Sequence, residues 1–363
     1  MPKKIVFLYS EIAEYVLACL RQLTHDYDVE VHLIRWQVNA EAPFLFEMPP
    51  NVHEYIRSQY TNDELMDLVK KIEPDLIVTA GWVDKSYLKI CRHFKNKIPT
   101  VAGIDTQYEG NFRQKMAALL SPLVFKTAFS HAFVAGEPQY NYARALGFAK
   151  ANILFGYYTA DYDYFAQVYA QNKSIKEANF PKRFIYAGRY MRHKGIFELW
   201  QAFQELCQEE QANEWELWCL GTGELQNEAV QHPKIRHFGF VQPRNMAQIM
   251  QETGVFVLPS HYEPWGVVVH EFAAAGFAIL CSNKVGAAST FLVNERNGYR
   301  FEAQNKNDLK RAMQAIIQKT DAELVAMCAE SHALGGLVTP KKSAAVLWQL
   351  MTNYASASNK KRS

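Results

Sequence analysis

The 363-residue chain has little of what marks membrane-spanning, metal-dependent or disulfide-stabilised proteins. No uninterrupted apolar run approaches the roughly 18 residues that a membrane-spanning helix needs. No histidine belongs to an H-E-x-x-H or similar ligand cluster, so we expect no metal site. No Cys-x-x-Cys spacing occurs, and several cysteines fall within apolar segments. We therefore expect buried free thiols of a reducing compartment at Cys19, Cys91, Cys207, Cys219, Cys281 and Cys328.

An excess of charge of one sign is also missing. The formal net charge is +2, and residues 1–158 carry 17 basic and 17 acidic side chains. This balance argues against a nucleic-acid partner. At the N-terminus, Lys3-Lys4 precede only five apolar residues, Ile5–Tyr9. That pattern predicts a first strand rather than a signal peptide, and we expect a cytoplasmic protein.

Short apolar runs alternate with helical patterns along the whole chain, which predicts an α/β protein with doubly wound parallel sheets. The length favours two domains. A Tyr-rich stretch followed by a polar one indicates a linker between them. The predicted parts are an N-terminal domain (1–158), a linker (159–182), a C-terminal domain (183–335) and a C-terminal helix with tail (336–363). The predicted strands are Ile5–Tyr9, Val29–Ile34, Leu76–Thr79, Thr100–Gly103, Ala132–Ala135, Phe184–Ala187, Leu217–Leu220, Ile235–Phe238, Val255–Leu258, Ala278–Cys281 and Tyr299–Phe301.

One stretch, Val255–Cys281, carries most of the chemistry. A strand ends at Pro259-Ser260, and a helix is predicted from about Gly266 to a C-terminal cap at Gly276. The amides of Gly266, Val267 and Val268 would lack helical partners, and such a helix end accepts a phosphate.

Two glutamates flank this helix end. Glu271 lies one turn after Val267 and would accept hydrogen bonds from the hydroxyls of a ribose attached to that phosphate. Glu263, in the preceding loop, could accept from sugar hydroxyls on the other side. A nucleoside diphosphate sugar fits this arrangement. The alternative is a capped amphipathic helix with two surface glutamates.

Charged and glycine-rich loops follow two further predicted strands. Gly188-Arg189 and Lys194-Gly195 follow strand Phe184–Ala187 and place two cations near a helix N-terminus, which suits a diphosphate; the alternative is solvated loop charges. Gly221-Thr222-Gly223 is not a dinucleotide fingerprint, because Gln226 stands at the third glycine position. We therefore expect no NAD and no other cofactor.

Two Asp-x-Asp triplets could in principle bind Mg²⁺ or Mn²⁺. They are Asp26-Tyr27-Asp28 and Asp161-Tyr162-Asp163. The first precedes a strand and the second lies in the predicted linker, so neither is expected at the carboxyl end of a strand. We predict that neither binds a metal.

Glu263 and Glu271, with seven residues between them, resemble the E-x7-E signature of the retaining glycosyltransferase family 4. The resemblance continues through Ala273–Gly276, Val285-Gly286 and Asn297-Gly298-Tyr299, and the 188–195 loop is similar to the family's G-R-x(4)-K-G segment. It implies the GT-B architecture, in which two Rossmann-like domains face a cleft. It also implies metal-independent, retaining transfer of a sugar from a nucleotide-diphosphate donor to a hydroxyl of a glycan or lipid-linked acceptor.

The resemblance also implies roles for individual residues. Arg189 and Lys194 would contact the diphosphate, Glu263 the donor sugar and Glu271 the ribose. The turn Gly221-x-Gly223 would lie beside the nucleotide, and Val241 would hold the base through its backbone. The N-terminal half departs from the family: Ser10 stands where a glycine pair is usual, and Asp105 where a histidine is common. We expect Asp105 to accept a hydrogen bond from the donor sugar or the acceptor, although it could equally cap a loop.

Two helical segments are candidates for peripheral contact with the inner face of a membrane. Lys85–Lys97 and Phe112–Phe125 combine basic and apolar residues, as interfacial helices do, but ordinary packed helices have the same pattern. Polysaccharide or lipid-linked glycan assembly is the commonest setting of the family. Two alternative functions remain open, a nucleotide-sugar epimerase of the same fold and a non-catalytic nucleotide-sugar-binding subunit.

Overall fold

The computed structural model describes residues 2–37 and 47–360. It contains two compact units, one formed by residues 1–159 and 338–363 and the other by residues 160–337. Both are α/β units built on a parallel sheet, which confirms the predicted fold class. Among the described residues, no helix is both long enough and apolar enough to cross a membrane.

The first unit has a seven-stranded sheet in the order β3-β2-β1-β4-β5-β6-β7, with every neighbouring pair parallel. Helices α2 to α5 pack on one face of the sheet, and α1 and α13 pack on the other. The strands are β1 (Lys3–Leu8), β2 (Val29–Arg35), β3 (Val52–Ile56), β4 (Leu76–Thr79), β5 (Thr100–Ile104), β6 (His131–Val134) and β7 (Ile153–Phe155). The helices are α1 (Glu14–Asp26), α2 (Asn62–Ile72), α3 (Lys85–Phe94), α4 (Phe112–Ala128), α5 (Glu137–Ala145) and α13 (Pro340–Lys360).

The second unit has a six-stranded parallel sheet in the order β10-β9-β8-β11-β12-β13. Its strands are β8 (Arg183–Ala187), β9 (Glu216–Leu220), β10 (Ile235–Gly239), β11 (Val255–Leu258), β12 (Ala278–Ser282) and β13 (Gly298–Phe301). Its helices are α6 (Tyr162–Ala178), α7 (Ile196–Gln208), α8 (Ala247–Gln251), α9 (Val267–Ala274), α10 (Ala288–Phe291), α11 (Lys306–Ile317) and α12 (Asp321–Gly335).

In both sheets the strand order reverses direction at one place, between β1 and β4 in the first and between β8 and β11 in the second. At such a switch point the loops that leave two neighbouring strands diverge to opposite faces, and a crevice opens beyond the carboxyl ends. The loops after β8 and β11 are therefore the expected ligand-binding elements of the second unit.

Two strands of the first unit, β3 and β7, are not predicted from the sequence. Both lie at the edges of the sheet. In β3, His53 and Glu54 point to opposite faces of the sheet, yet both are exposed and interrupt the apolar pattern, and β7 has only three residues. Edge strands of this kind lack the continuous apolar run by which buried strands are recognised.

The segment assigned above to a linker, 159–182, differs from that interpretation. It contains α6, a helix of 17 residues that belongs to the second unit. Its buried positions are Phe165, Val168, Asn172 and Lys176, so two of its four core-facing side chains are polar. Those two residues hide the helical periodicity from a reading based on hydrophobicity alone.

The C-terminal segment, predicted as a separate helix and tail (336–363), belongs almost entirely to the first unit. Helix α13 returns to the first unit, where Ala344, Leu347 and Met351 join the core formed by β1, β2 and α1. The six cysteines are free thiols, as predicted, and four of them are buried.

Because α13 completes the core of the first unit, we expect Leu347→Ala to reduce the free energy of unfolding by about 2–5 kcal/mol, the usual cost of removing a buried leucine side chain. Urea unfolding monitored by circular dichroism measures this change. Gln349→Ala, on the exposed side of the same helix, should change the value by less than about 0.5 kcal/mol. Equal stability of the two variants would contradict the packing of Leu347 in the core of the first unit.

Candidate functional site

The loop after β8 is held rigidly by two buried tyrosines. The Tyr186 hydroxyl donates a hydrogen bond to the Arg189 carbonyl (2.8 Å), and the Tyr190 amide donates to the Thr222 carbonyl (2.8 Å). Arg189 itself is exposed at the start of this loop. The backbone that carries its guanidinium is therefore fixed from within the core.

The loops after β8 and β9 pack directly against each other. A Cβ atom at Gly221 would lie 1.9 Å from the Gly188 carbonyl oxygen, and Gly221 has a φ of +132°. Only glycine fits such an approach. Gly223 follows in the same turn, and its own Cβ would clash with the backbone of Tyr190. Packing alone thus accounts for both glycines.

The loops after β8 and β11 also touch, on either side of the switch point. The His261 amide donates to the His193 carbonyl (2.8 Å), and the His261 imidazole lies 2.9 Å from the Glu198 carboxylate on α7. Gly195, which precedes α7, has no room for a side chain against the Pro259 carbonyl. Residues 188–195 and 259–263, which the sequence analysis treats as separate loops, form one surface.

A largely buried ion pair joins these two loops. The Lys194 ammonium lies 2.5 Å from a Glu263 carboxylate oxygen, and each side chain is only 15% exposed. The Glu263 backbone is anchored as well: its amide donates to the Lys284 carbonyl (3.0 Å), and its carbonyl accepts from the Gly286 amide (3.0 Å). Two residues predicted to contact different parts of a donor thus contact each other in this structure.

Helix α9 begins at Val267, as predicted, and its N-terminus opens beside this ion pair. Gly266 adopts a left-handed conformation (φ +87°), and no side chain caps the helix. The first-turn amides, those of Val267 and Val268 among them, have no partner within the helix, and they lie at its positive dipole end. Both residues are partly exposed, whereas Trp265 is buried and holds the preceding loop against Ala287. The arrangement suits an anion.

Glu271 lies on α9 one turn beyond this end. Burial, reinforced by the negative charge of Asp161, raises the pKa of Glu271 to about 7. Asp161, a member of one Asp-x-Asp triplet, is the N-cap of α6 and accepts from the Tyr164 amide (3.5 Å). Glu271 therefore sits where its charge is costly, near the midpoint of its titration at neutral pH.

Val241 follows β10, on the far side of β9 from the ion pair, and is partly exposed. Its neighbour Phe240 is 36% exposed, so this short loop presents apolar surface beyond the carboxyl edge of the sheet. The loop is connected to the β9 turn through a hydrogen bond from the Gly221 amide to the Gly239 carbonyl (2.7 Å).

Two predicted residues, Ser10 and Asp105, lie in the first unit. Ser10 follows β1, and its carbonyl accepts from the Trp36 amide (2.8 Å). Asp105 directly follows β5, and its carboxylate accepts from the Thr106 hydroxyl (3.3 Å), while its carbonyl accepts from the Gln139 side chain (2.8 Å). Burial raises the pKa of the Tyr157 and Tyr158 hydroxyls, and the negative charge of Asp105 raises it further.

Sequence reasoning missed the residues that support the site. Tyr186 and Tyr190 lie within or beside an apolar strand, where aromatic residues are ordinary core members. The Tyr190 hydroxyl donates to the Cys219 carbonyl (3.2 Å) and contacts the His237 imidazole (2.9 Å). No spacing signal distinguishes such a tyrosine from a packing residue.

Comparison with known proteins gives this geometry a context. Residues 170–332, which lie within the second unit, match the family described as Glycosyl transferases group 1. An uncharacterized glycosyltransferase of Methanocaldococcus jannaschii is 26% identical over 153 residues, covering 40% of this chain and 38% of that protein. A glycogen synthase of Mycobacterium tuberculosis is 27% identical over 142 residues, covering 38% and 34%. The match thus spans little more than a third of these relatives.

Solved structures match nearly the whole chain. Anabaena Alr3699/HepE, crystallised with UDP and glucose, has a TM-score of 0.68 at 15% identity and covers 98% of this chain and 100% of its own. Sucrose-phosphate synthase from Thermosynechococcus elongatus has a TM-score of 0.74 at 17% identity with the same coverage. At these identities the likeness concerns the fold, which is that of two Rossmann-like sheets of the GT-B type.

Gly266 should be intolerant of any side chain. Alanine there would be strained by the left-handed conformation, and its Cβ would lie 2.8 Å from the Glu263 Cγ. Gly110→Ala is the matched control, because Gly110 is also left-handed (φ +65°) but the nearest atom to a new Cβ is 4.0 Å away.

We expect Gly110→Ala to lower the free energy of unfolding by about 1–2 kcal/mol through backbone strain, and Gly266→Ala to lower it further. Urea titration of both variants provides the comparison. A loss for Gly266→Ala no larger than that for Gly110→Ala would mean that Glu263 is not held against the helix end.

Proposed function

We propose that the protein transfers a sugar, with retention of anomeric configuration, from a nucleotide-diphosphate donor to a hydroxyl of a glycan or lipid-linked acceptor. The observation that carries this proposal is the contact of Lys194 with Glu263 beside the open N-terminus of α9. These groups flank the switch point of the second sheet, within the segment that matches Glycosyl transferases group 1.

A nucleotide sugar is the donor class that these groups suit. An uncapped helix end and two cations provide positive charge for a diphosphate, and two carboxylates provide acceptors for hydroxyls. A structure of Anabaena Alr3699/HepE contains UDP-glucose, which supports the same class. Val241 and the turn Gly221-x-Gly223 would border the nucleotide.

In the free protein, Glu263 neutralises Lys194. A bound diphosphate would offer Lys194 a second anion, and the ammonium would then be shared between phosphate and carboxylate. Arg189, Lys194 and the α9 amides would together stabilise the charge that develops on the leaving diphosphate, which is usually the largest catalytic term. Glu263, less tightly held by Lys194, would accept hydrogen bonds from the donor sugar.

The transfer itself breaks the bond between the anomeric carbon and the phosphate oxygen and forms one to the acceptor oxygen on the same face. We propose no protein nucleophile. The departing phosphate oxygen would take the proton of the acceptor hydroxyl, as the family resemblance implies. Asp105, in the first unit, would accept a hydrogen bond from the sugar or acceptor.

Incubation with labelled nucleotide sugars, with and without a membrane lipid extract, tests this function. We expect label to move to an acceptor present in the extract, and we expect transfer to survive EDTA, because Arg189, Lys194 and the α9 end already supply positive charge at the diphosphate. Loss of transfer on chelation, restored by Mg²⁺ or Mn²⁺, would contradict metal independence. Conversion of the donor without an acceptor would indicate an epimerase, and binding without turnover a non-catalytic subunit.

The raised pKa of Glu271 makes the ribose assignment testable by pH. Only the ionised carboxylate accepts from both ribose hydroxyls, and a pKa of about 7 leaves it mostly protonated at pH 6 and mostly ionised at pH 8. Affinity for a nucleoside diphosphate should therefore rise about tenfold over that interval. The phosphate titrates in the same direction, so Glu271→Gln is the matched control.

Titration calorimetry of both proteins at the two pH values isolates the contribution of Glu271. We expect Glu271→Gln to retain only the phosphate contribution to the pH dependence and, at pH 8, to bind more weakly by about 1.5–3 kcal/mol. Identical pH dependence in the two proteins would remove Glu271 from the nucleotide site.

A further inference from the structure

Helix α4 carries a row of large apolar side chains on its solvent face. Phe112 is 78% exposed, and Leu119 and Leu123 are each 70% exposed. With Met116 and Leu120 they recur at the three- and four-residue spacing of a single helical stripe. We call these five residues the α4 ridge.

The fold does not use the α4 ridge. The same helix is attached to the first unit by its opposite face, where Gln114, Ser121, Phe125 and Ala128 are buried. The Ser121 hydroxyl donates to the Leu146 carbonyl, and Phe125 packs edge-on against Trp82 (4.6 Å between ring centres). An exposed apolar stripe this contiguous on a helix already packed elsewhere indicates an interaction surface.

Helix α3 lies beside α4 and behaves differently. Its apolar residues, Tyr87, Leu88, Ile90 and Phe94, are in the core of the first unit. The Arg92 guanidinium donates to the Thr127 hydroxyl of α4 (3.2 Å), which places the two helices side by side. Helix α3 is thus an ordinary packed amphipathic helix, and its polar face contributes charge next to the ridge.

That charge has one sign. Residues 85–97 contain five basic and no acidic side chains, and residues 112–128 contain three basic and none acidic. Of the acidic groups nearby, Asp63 pairs with Lys89 (3.3 Å) and Asp84 with Arg57 (3.3 Å). Glu109, three residues before Phe112, is exposed. The exposed basic residues beside the ridge are Lys85, Lys89, Arg92, Lys97, Arg113, Lys115 and Lys126.

We propose that the α4 ridge inserts into the interface of an anionic phospholipid membrane, with the basic side chains of α3 and α4 meeting the headgroups. A bilayer surface can receive a convex apolar ridge and a broad field of positive charge at the same time. A protein partner would need a matching apolar groove and acidic rim. The predominantly basic surround therefore favours lipid. This contact would keep the protein close to a lipid-linked acceptor, but it does not depend on the transfer reaction.

Cosedimentation with vesicles tests the contact. The full chain should bind vesicles of phosphatidylcholine mixed with phosphatidylglycerol much more tightly than vesicles of phosphatidylcholine alone, and high salt should weaken the binding. Leu119→Ser/Leu123→Ser should lower the partition coefficient at least tenfold. Ile175→Ser/Leu337→Ser, which replaces two exposed aliphatic residues of the second unit, is the control and should leave the coefficient unchanged.

A second pair of variants tests the charge without altering the ridge. Arg113→Glu/Lys115→Glu should lower binding to the anionic vesicles by about 25-fold or more, since each basic side chain near such a surface contributes roughly fivefold. Lys173→Glu/Arg311→Glu changes the net charge equally on exposed positions of the second unit and should have a much smaller effect.

The proposal fails if the wild-type chain does not bind anionic vesicles, or if the ridge and charge variants bind as well as their controls. It also fails if sedimentation equilibrium shows a self-associated chain that Leu119→Ser/Leu123→Ser dissociates, since the ridge would then cover a second copy. Circular dichroism should show unchanged folding in all variants. The vesicles contain no nucleotide, so these outcomes are distinguishable from failure of the proposed transfer.

Discussion

The candidate site depends on one ion pair. Lys194 and Glu263 are largely removed from water, and each charge there would be costly without the other. Their contact ties the loop after β8 to the loop after β11, at the place where the second sheet changes direction. It also sets the shape of the helix end, because the space that a side chain at Gly266 would need is taken by Glu263. A ligand that competes for Lys194 would loosen this whole assembly.

The strands that the sequence predicts well are those covered on both faces. β4, β5, β11 and β12 are buried throughout and therefore read as short continuous apolar runs. Prediction fails where the burial of a residue does not follow the hydrophobicity of its side chain. Edge strand β3 has exposed polar residues in its middle, and α6 buries Asn172 and Lys176. Tertiary packing determines whether these segments form a strand or a helix, and the local composition does not reveal that packing.

The candidate site likewise has a part that the sequence predicts and a part that it does not. The loops that carry Arg189, Lys194 and Glu263 can be located from the sequence, because each follows an apolar run and contains punctuating glycine or proline. Their mutual contacts cannot, since Lys194 and Glu263 are 69 residues apart. Nor does spacing tell which face of an apolar helix is inward. Lys85–Lys97 and Phe112–Phe125 look alike as patterns, yet only α4 exposes its apolar stripe.

The discontinuity of the first unit has a consequence for biosynthesis. Helix α13 is made after every strand of the second unit, although the surface it covers, formed by α1 and the adjoining face of the first sheet, is made at the start. On the ribosome the second unit, whose sequence is continuous, can reach its native state while the first still lacks one helix. Until α13 emerges, part of the apolar surface of α1 remains exposed to solvent, including Val16, Leu20 and Leu23. Helix α13, which is made after the whole of the second unit, thus closes the hydrophobic core of the first unit.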